Sequence, residues 1–164
     1  MKRIGQFILD WVWQLPQHIV GLLLILFLGA KKQGVQKEPN GDVVWYWDYE
    51  RGGWFSNFIS GASLGRYILL PKPASNTTIF HEHGHSKQSV ILGPLYLLIV
   101  GIYSAVFCNL WDRFFHKGWN TYDRLYWYYK TRLTEIWADR LGGVDRIAAL
   151  RKIDRPDYAR FPEV

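Results

Sequence analysis

The sequence predicts an α+β chain: an apolar helix at the N-terminus, a small antiparallel sheet, and then helices that carry the polar chemistry. Three observations predict it. Residues 11–30 contain no Asp, Glu, Lys or Arg. Aromatic and β-branched runs between 43 and 70 are punctuated by Gly and Pro. Beyond residue 77 the pattern turns helical, with stops at Gly93-Pro94 and Gly142-Gly143. At 164 residues the chain holds one domain with a real core. We divide it into a hydrophobic membrane-anchor segment, 1–33, and a metal-binding domain, 34–164.

The first element is "WVWQLPQHIVGLLLILFLGA". Its densest part, 19–30, is too short at about 1.5 Å per residue to cross a hydrocarbon layer of about 30 Å. Adding 11–18 gives the length, but Pro16 is expected to kink the helix. Lys2 and Arg3 precede it, Lys31 and Lys32 follow it, and no small-x-small cleavage site stands out. An uncleaved anchor fits better than a signal peptide, the alternative being a buried core helix. The next stretch, "DVVWYWDYERGGWFSNFI", reads as a hairpin about Arg51-Gly52-Gly53, and "GRYILLP" as a further short strand closed by Pro71 and Pro73.

A helix is expected from about 77 to 92 and a second from about 94 to 110. Glycine suits the residue after a helix end and proline suits a first turn. A further helix covers "YDRLYWYYKTRLTEIWADRL", stopped by Gly142-Gly143, and a short one follows at about 144–152.

Composition narrows the function classes. Aromatic residues make up 17% of the chain, with nine Trp and ten Tyr, and the net charge is +6. An excess of positive charge suits solubility, anionic lipid or nucleic acid. No RNP, zinc-finger or helix-turn-helix pattern is present, so nucleic acid is not expected as a partner. A single cysteine, Cys108, excludes an internal disulfide framework and Cys-based zinc sites.

The chemistry concentrates in "TIFHEHGHSKQS". His81-Glu82-x-x-His85 is an HExxH pattern, expected by chance in roughly 0.5% of chains of this composition. Four residues apart on a helix lie on one face, so His81 and His85 can hold one Zn²⁺ while Glu82 reaches an activated water as general base. His83 points to another side. Zinc then lacks one protein ligand, and His18, His116, the downstream aspartates and Glu135 are candidates.

Glu135 has the fullest context, in "TEIWADRLGG", with Asp139 four residues on. Together with HExxH this resembles the gluzincin metallopeptidases. The resemblance implies a zincin-like domain holding one Zn²⁺ per chain, with His81, His85 and Glu135 as ligands, Glu82 as base, and Asp139 orienting a ligand histidine. "SLGRYILLP", "HEHGHSKQS", "LGPLYLL" and "WADRLGG" also look like a group of small bacterial membrane-associated HExxH proteins.

A single membrane crossing between 90 and 110 would put Glu135 on the side opposite His81 and His85. The site therefore requires the second apolar helix to fold back at Gly93-Pro94. The expected function is a zinc-dependent peptidase at a membrane surface, its site on the cytoplasmic side. Its partners would be membrane lipids and a peptide or protein substrate lying along "GRYILLP" as an edge strand. Tyr128 and Arg132 are candidate oxyanion donors. The alternative is a non-enzymatic membrane-associated protein with a structural zinc, His116 closing the fourth position.

Overall fold

The structure, a computed structural model, describes residues 5, 8–37, 43–53, 56, 59, 61–119, 127 and 131–145. After π-type turns at Ile8–Trp13 comes helix α1, Leu15–Leu28. The run expected as one helix kinked at Pro16 is divided just ahead of the proline, at Gln14. The proline lies in the first turn, where its missing N–H is no loss and its fixed φ suits the helix. Gly29 ends α1 with φ 58°, and its N–H reaches the carbonyls of Ile25 and Leu26. Among the described residues no single helix is long and apolar enough to cross a membrane.

Strands β1 (Lys31–Lys37), β2 (Val43–Tyr49), β3 (Ala62–Leu64) and β4 (Tyr67–Pro71) form one sheet in the order β1-β2-β4-β3. The expected antiparallel sheet is in fact mixed: β1–β2 and β3–β4 pair antiparallel, while β2 and β4 run parallel. Both sides of β2 are taken by β1 and β4, so it has no hairpin partner across Arg51-Gly52-Gly53. The second arm of that expected hairpin falls largely outside the described residues. The chain passes to the far side of the sheet, lays down β3, and returns as β4 through a two-residue turn. Gly65 supplies the positive φ of that turn, 64°. "YILLP" is consequently an interior strand, buried at every position, and not an edge. The edge strand on that side is β3. β1 starts at Lys31, so residue 33 lies within a strand.

The two faces of the sheet are covered by different helices, as the period-two alternation of strands requires. Tyr49, Tyr67 and Leu69 meet Ile25 of α1, with Trp45 and Trp47 partly buried around them. Gly21 lets α1 approach: a Cβ there would stand 2.8 Å from the Tyr67 ring and 3.2 Å from Leu64 Cβ. On the other face Val44, Ile68 and Leu70 meet Ile79 of helix α2, Asn76–Leu92. Ser75 caps α2, its Oγ accepting from the Thr78 N–H at 3.1 Å.

The regular α-helix ends at Gly93, and past the turn that follows, the helical axis bends by 117° between Asn76–Leu95 and Leu97–Phe107. The expected break and return are there. The segment beyond is not one regular α-helix but a 3₁₀ turn at Gly93–Leu95 followed by π-type runs at Leu97–Gly101 and Ser104–Trp111. Tyr96 and Val100 turn inward against Leu64, and the Tyr96 hydroxyl donates to the Ser63 carbonyl at 2.8 Å. Helix α3, Leu133–Gly142, packs along α2 and ends at Gly143 in a left-handed conformation. Of the helix expected over 122–141, α3 is the described part, and it begins only after Arg132, whose backbone is not helical. The stretch before residue 131 and the short helix expected at about 144–152 fall largely outside the described residues.

Polar side chains tie α1 to the end of α2. Trp13 Nε1 donates to the Val90 carbonyl at 2.9 Å, Ser89 Oγ to Gln14 Oε1 at 3.0 Å, and Gln17 Nε2 to the Gly93 carbonyl. Buried His18 accepts the Arg66 N–H on Nε2 at 3.2 Å.

Candidate metal centre

The centre is built on the contact between α2 and α3. Two glycines set its closeness. A Cβ on Gly84 would overlap the Ala138 carbonyl, and one on Gly142 would overlap the Phe80 carbonyl. With hydrogen in both places the two backbones come together, and Glu135 is carried up to the face of α2 that presents His81 and His85.

His81 Nε2 and His85 Nε2 stand 3.1 Å apart, and Glu135 Oε2 lies 3.1 Å from the first and 3.2 Å from the second. All three residues are buried. Donors held tetrahedrally at about 2.0–2.1 Å from one ion lie roughly 3.3 Å from each other, close to this triangle. The trio could hold a metal ion.

The far nitrogens of both imidazoles are engaged. His81 Nδ1 donates to Asp139 Oδ1 at 2.6 Å, and His85 Nδ1 donates to Gln88 Oε1 at 2.7 Å. Each bond places the proton on Nδ1 and leaves the Nε2 lone pair facing the trio, the orientation a ligand histidine needs. Gln88 Nε2 in turn donates to the Thr134 carbonyl at 2.7 Å, which ties the His85 side of the centre to the start of α3.

Two lone pairs and a carboxylate oxygen at such distances repel unless a positive charge lies between them. The protonation behaviour expresses the same demand. Burial disfavours the His81 imidazolium, but hydrogen bonds to Asp139 and Glu135, with the Glu82 charge, outweigh it and push the pKa up to about 9. His85 is likewise raised, burial being overcome by Glu135. Glu135 is held well below the usual carboxylate range, its burial offset by His85 and His81.

Glu82 is buried beside the trio, close enough for its charge to act on both histidines. Its carboxylate rests on the backbone of Gly61, immediately before β3, where a Cβ would collide with Oε1. Glu82 is thus held between the HExxH helix and the edge strand.

The other expected participants lie elsewhere or outside the described residues. His83 stacks on Tyr46 of β2, ring centroids 5.9 Å apart. His18 faces Arg66 and Tyr67 on the α1 side of the sheet. His116 stacks on Trp119 at 4.0 Å and does not join the trio. Arg132 is buried at the N-terminal boundary of α3, three residues before Glu135. Tyr128 lies outside the described residues.

Sequence reasoning missed Gln88, Gly84, Gly142 and Gly61. Gln88 was findable, since it follows His85 by three residues on a helix and carries the acceptor that His85 needs. The glycines carry no signal until the elements they touch are known. No protein-family model matches the chain, and neither a curated protein nor a solved structure matches it.

Proposed function

We propose that this protein is a zinc-dependent peptidase working at a membrane surface, with His81, His85 and Glu135 as metal ligands and Glu82 as general base. The observation that carries the reading is the convergence of three ligand atoms with the Glu82 carboxylate buried nearby. Zinc bound there supplies Lewis acidity, lowering the pKa of water and polarising a peptide carbonyl. Asp139 and Gln88 hold the Nδ1 protons of the two imidazoles, which turns each Nε2 toward the trio and fixes its direction. Glu82 Oε accepts the proton from the attacking water and returns it to the leaving amine. Gly61 leaves the Glu82 carboxylate room, and the edge strand β3 beside it is where an extended peptide would lie. Arg132 and Tyr128 remain the candidates for holding a developing oxyanion.

The runner-up is a structural zinc in a non-enzymatic protein. Such a site closes its fourth position with a protein ligand. Among the described residues the group consists of three, and His116 is engaged with Trp119, which favours catalysis.

The membrane half of the reading rests on the uncharged stretch 11–30, flanked by basic residues. The same basic flanks favour a site on the cytoplasmic side.

The test is metal analysis of purified protein together with the Glu82→Gln variant. One zinc per chain is expected in both. The His81→Ala/His85→Ala double variant should lose it, and undiminished zinc there would overturn the ligand assignment. Hydrolysis of a peptide library or membrane extract should fall by about 10²- to 10⁴-fold in Glu82→Gln. Full activity in that variant would refute the mechanism. Hydrolysis absent under all conditions, with unfolding on zinc removal, would establish the structural alternative.

A further inference from the structure

Two helical stretches share an unusual arrangement. In α1 the residues that face the sheet include Gly21 and Ile25, while Ile19, Leu23 and Leu26 point outward, with Leu26 77% exposed. In the stretch after Gly93, Tyr96 and Val100 face inward, while Leu95, Leu98 and Ile102 point outward, with Leu98 63% exposed. In each case the outward residues recur at helical spacing, so each forms one stripe. The stripes belong to neighbouring elements: Leu24 of α1 packs with Tyr96 and Val100, and the Gln17 amide is bonded to the Gly93 carbonyl.

We propose that these two outer faces form one surface that seats the protein in a single leaflet of an anionic bilayer. The inference rests on the membrane half of the reading above and is independent of the peptidase half. It differs from attachment through an N-terminal anchor alone, because residues after the HExxH helix carry half of the surface.

The occupant is indicated by the chemistry around the stripes. Neither 11–30 nor 88–111 contains an Asp, Glu, Lys or Arg. A protein partner is held by roughly one hydrogen bond per 100–200 Å², and these stripes offer only aliphatic carbon. Exposed Trp11 and Trp13 begin the first uncharged stretch, exposed Trp111 ends the second and exposed Trp119 follows it, residues of the type that favours the headgroup level. Lys31, Lys32 and Lys117 are exposed just beyond the apolar stretches, and the net charge is +6, which complements anionic headgroups. No single described helix is long and apolar enough to cross, and the one pair that together has the length, Asn76–Leu95 with Leu97–Phe107, is bent by 117°, a shape that suits a position in the interface.

The test is flotation of the intact chain with phosphatidylcholine vesicles, with and without phosphatidylserine. Wild type should float with both, and the gain from phosphatidylserine should shrink at high salt. Leu23→Lys/Leu26→Lys and Leu98→Lys/Ile102→Lys should each lower partitioning by on the order of 100-fold, as expected for losing two buried leucine-sized side chains. The positions are exposed, and unchanged thermal melting would show that the variants fold. A nitroxide at Leu98→Cys in a Cys108→Ser background gives a second readout: its contact with oxygen should rise when vesicles are added. If the Leu98/Ile102 variant floats like wild type and the label stays in water, the shared face is refuted and an N-terminal anchor alone survives. If wild type does not float at all, both membrane readings fall. A dimer that the same variants dissolve, without vesicle binding, would assign the face to a second copy and overturn the proposal.

Discussion

Gly84 of the HExxH helix lies directly against the Ala138 carbonyl of α3, with no room for a Cβ between them. That contact sets how near Glu135 comes to His81 and His85. Gly84→Ala should therefore force the helices apart and disturb the trio. Overpacking of this kind costs about 1–3 kcal/mol. At roughly 2–4 °C per kcal/mol for a chain of this size, the melting temperature should fall by several degrees. Metal affinity should fall with it. A variant that melts and binds zinc like wild type would show that the helix contact does not govern the site.

Asp139 and Gln88 act through the histidines and not on the metal. Asp139→Asn and Gln88→Ala should each weaken zinc binding by about 10- to 100-fold, measured by competition with a chromophoric chelator. Combined, the losses should be close to multiplicative, because the two residues hold different imidazoles. An effect on folding alone, with affinity unchanged, would deny them the orienting role.

Gly61 offers a test of the base that leaves the ligands alone. Gly61→Val should displace the Glu82 carboxylate and strain the Gly61 backbone, whose φ is 156°, while His81, His85 and Glu135 keep their places. Zinc content should be retained and hydrolysis should drop toward the level of Glu82→Gln. Loss of zinc in this variant would mean that the β3 edge also supports the ligand set.

Protons compete with metal at this centre. With the His81 pKa at about 9, zinc affinity should rise with pH up to that value, by about tenfold per pH unit for one displaced proton. The metal-free protein should show the opposite trend in stability. A pKa raised from 6.5 to about 9 means that the folded state binds more protons between those values. The stabilisation is complete below pH 6.5 and is lost as pH rises through 9. Melting temperatures of chelated protein across this range should fall, and those of zinc-loaded protein should not follow them.

His18 should act in the reverse sense. Burial lowers its pKa from 6.5 to about 4, so the unfolded chain binds the extra proton in that window. Stability should therefore decline as pH falls from 6.5 to 4, and the decline should shrink in His18→Gln, which keeps an acceptor for the Arg66 N–H. An identical acid profile in that variant would place the sensitivity elsewhere.

The sequence by itself determined the local features. HExxH spacing puts His81 and His85 on one turn-separated face of any helix, and Gly93-Pro94 must end that helix. Glu135 and Asp139, four residues apart, can reach one histidine from both of its nitrogens only if a second helix lies alongside. The demand that all of them meet already excluded a single membrane crossing between them. What the tertiary structure decided depends on contacts between elements distant in sequence. The parallel pairing of β2 with β4 follows from where the chain lays β3, which no strand propensity encodes. "YILLP" reads the same as an edge or an interior strand, because its flanking partners, β2 and β3, are set by the path of the chain and not by its own residues. Gln88 becomes a tie between helices only when the Thr134 carbonyl arrives beside it. Gly84 and Gly61 acquire meaning only from the atoms that press against them, and Gly142, legible as part of a helix stop, gains its second role only from the Phe80 carbonyl.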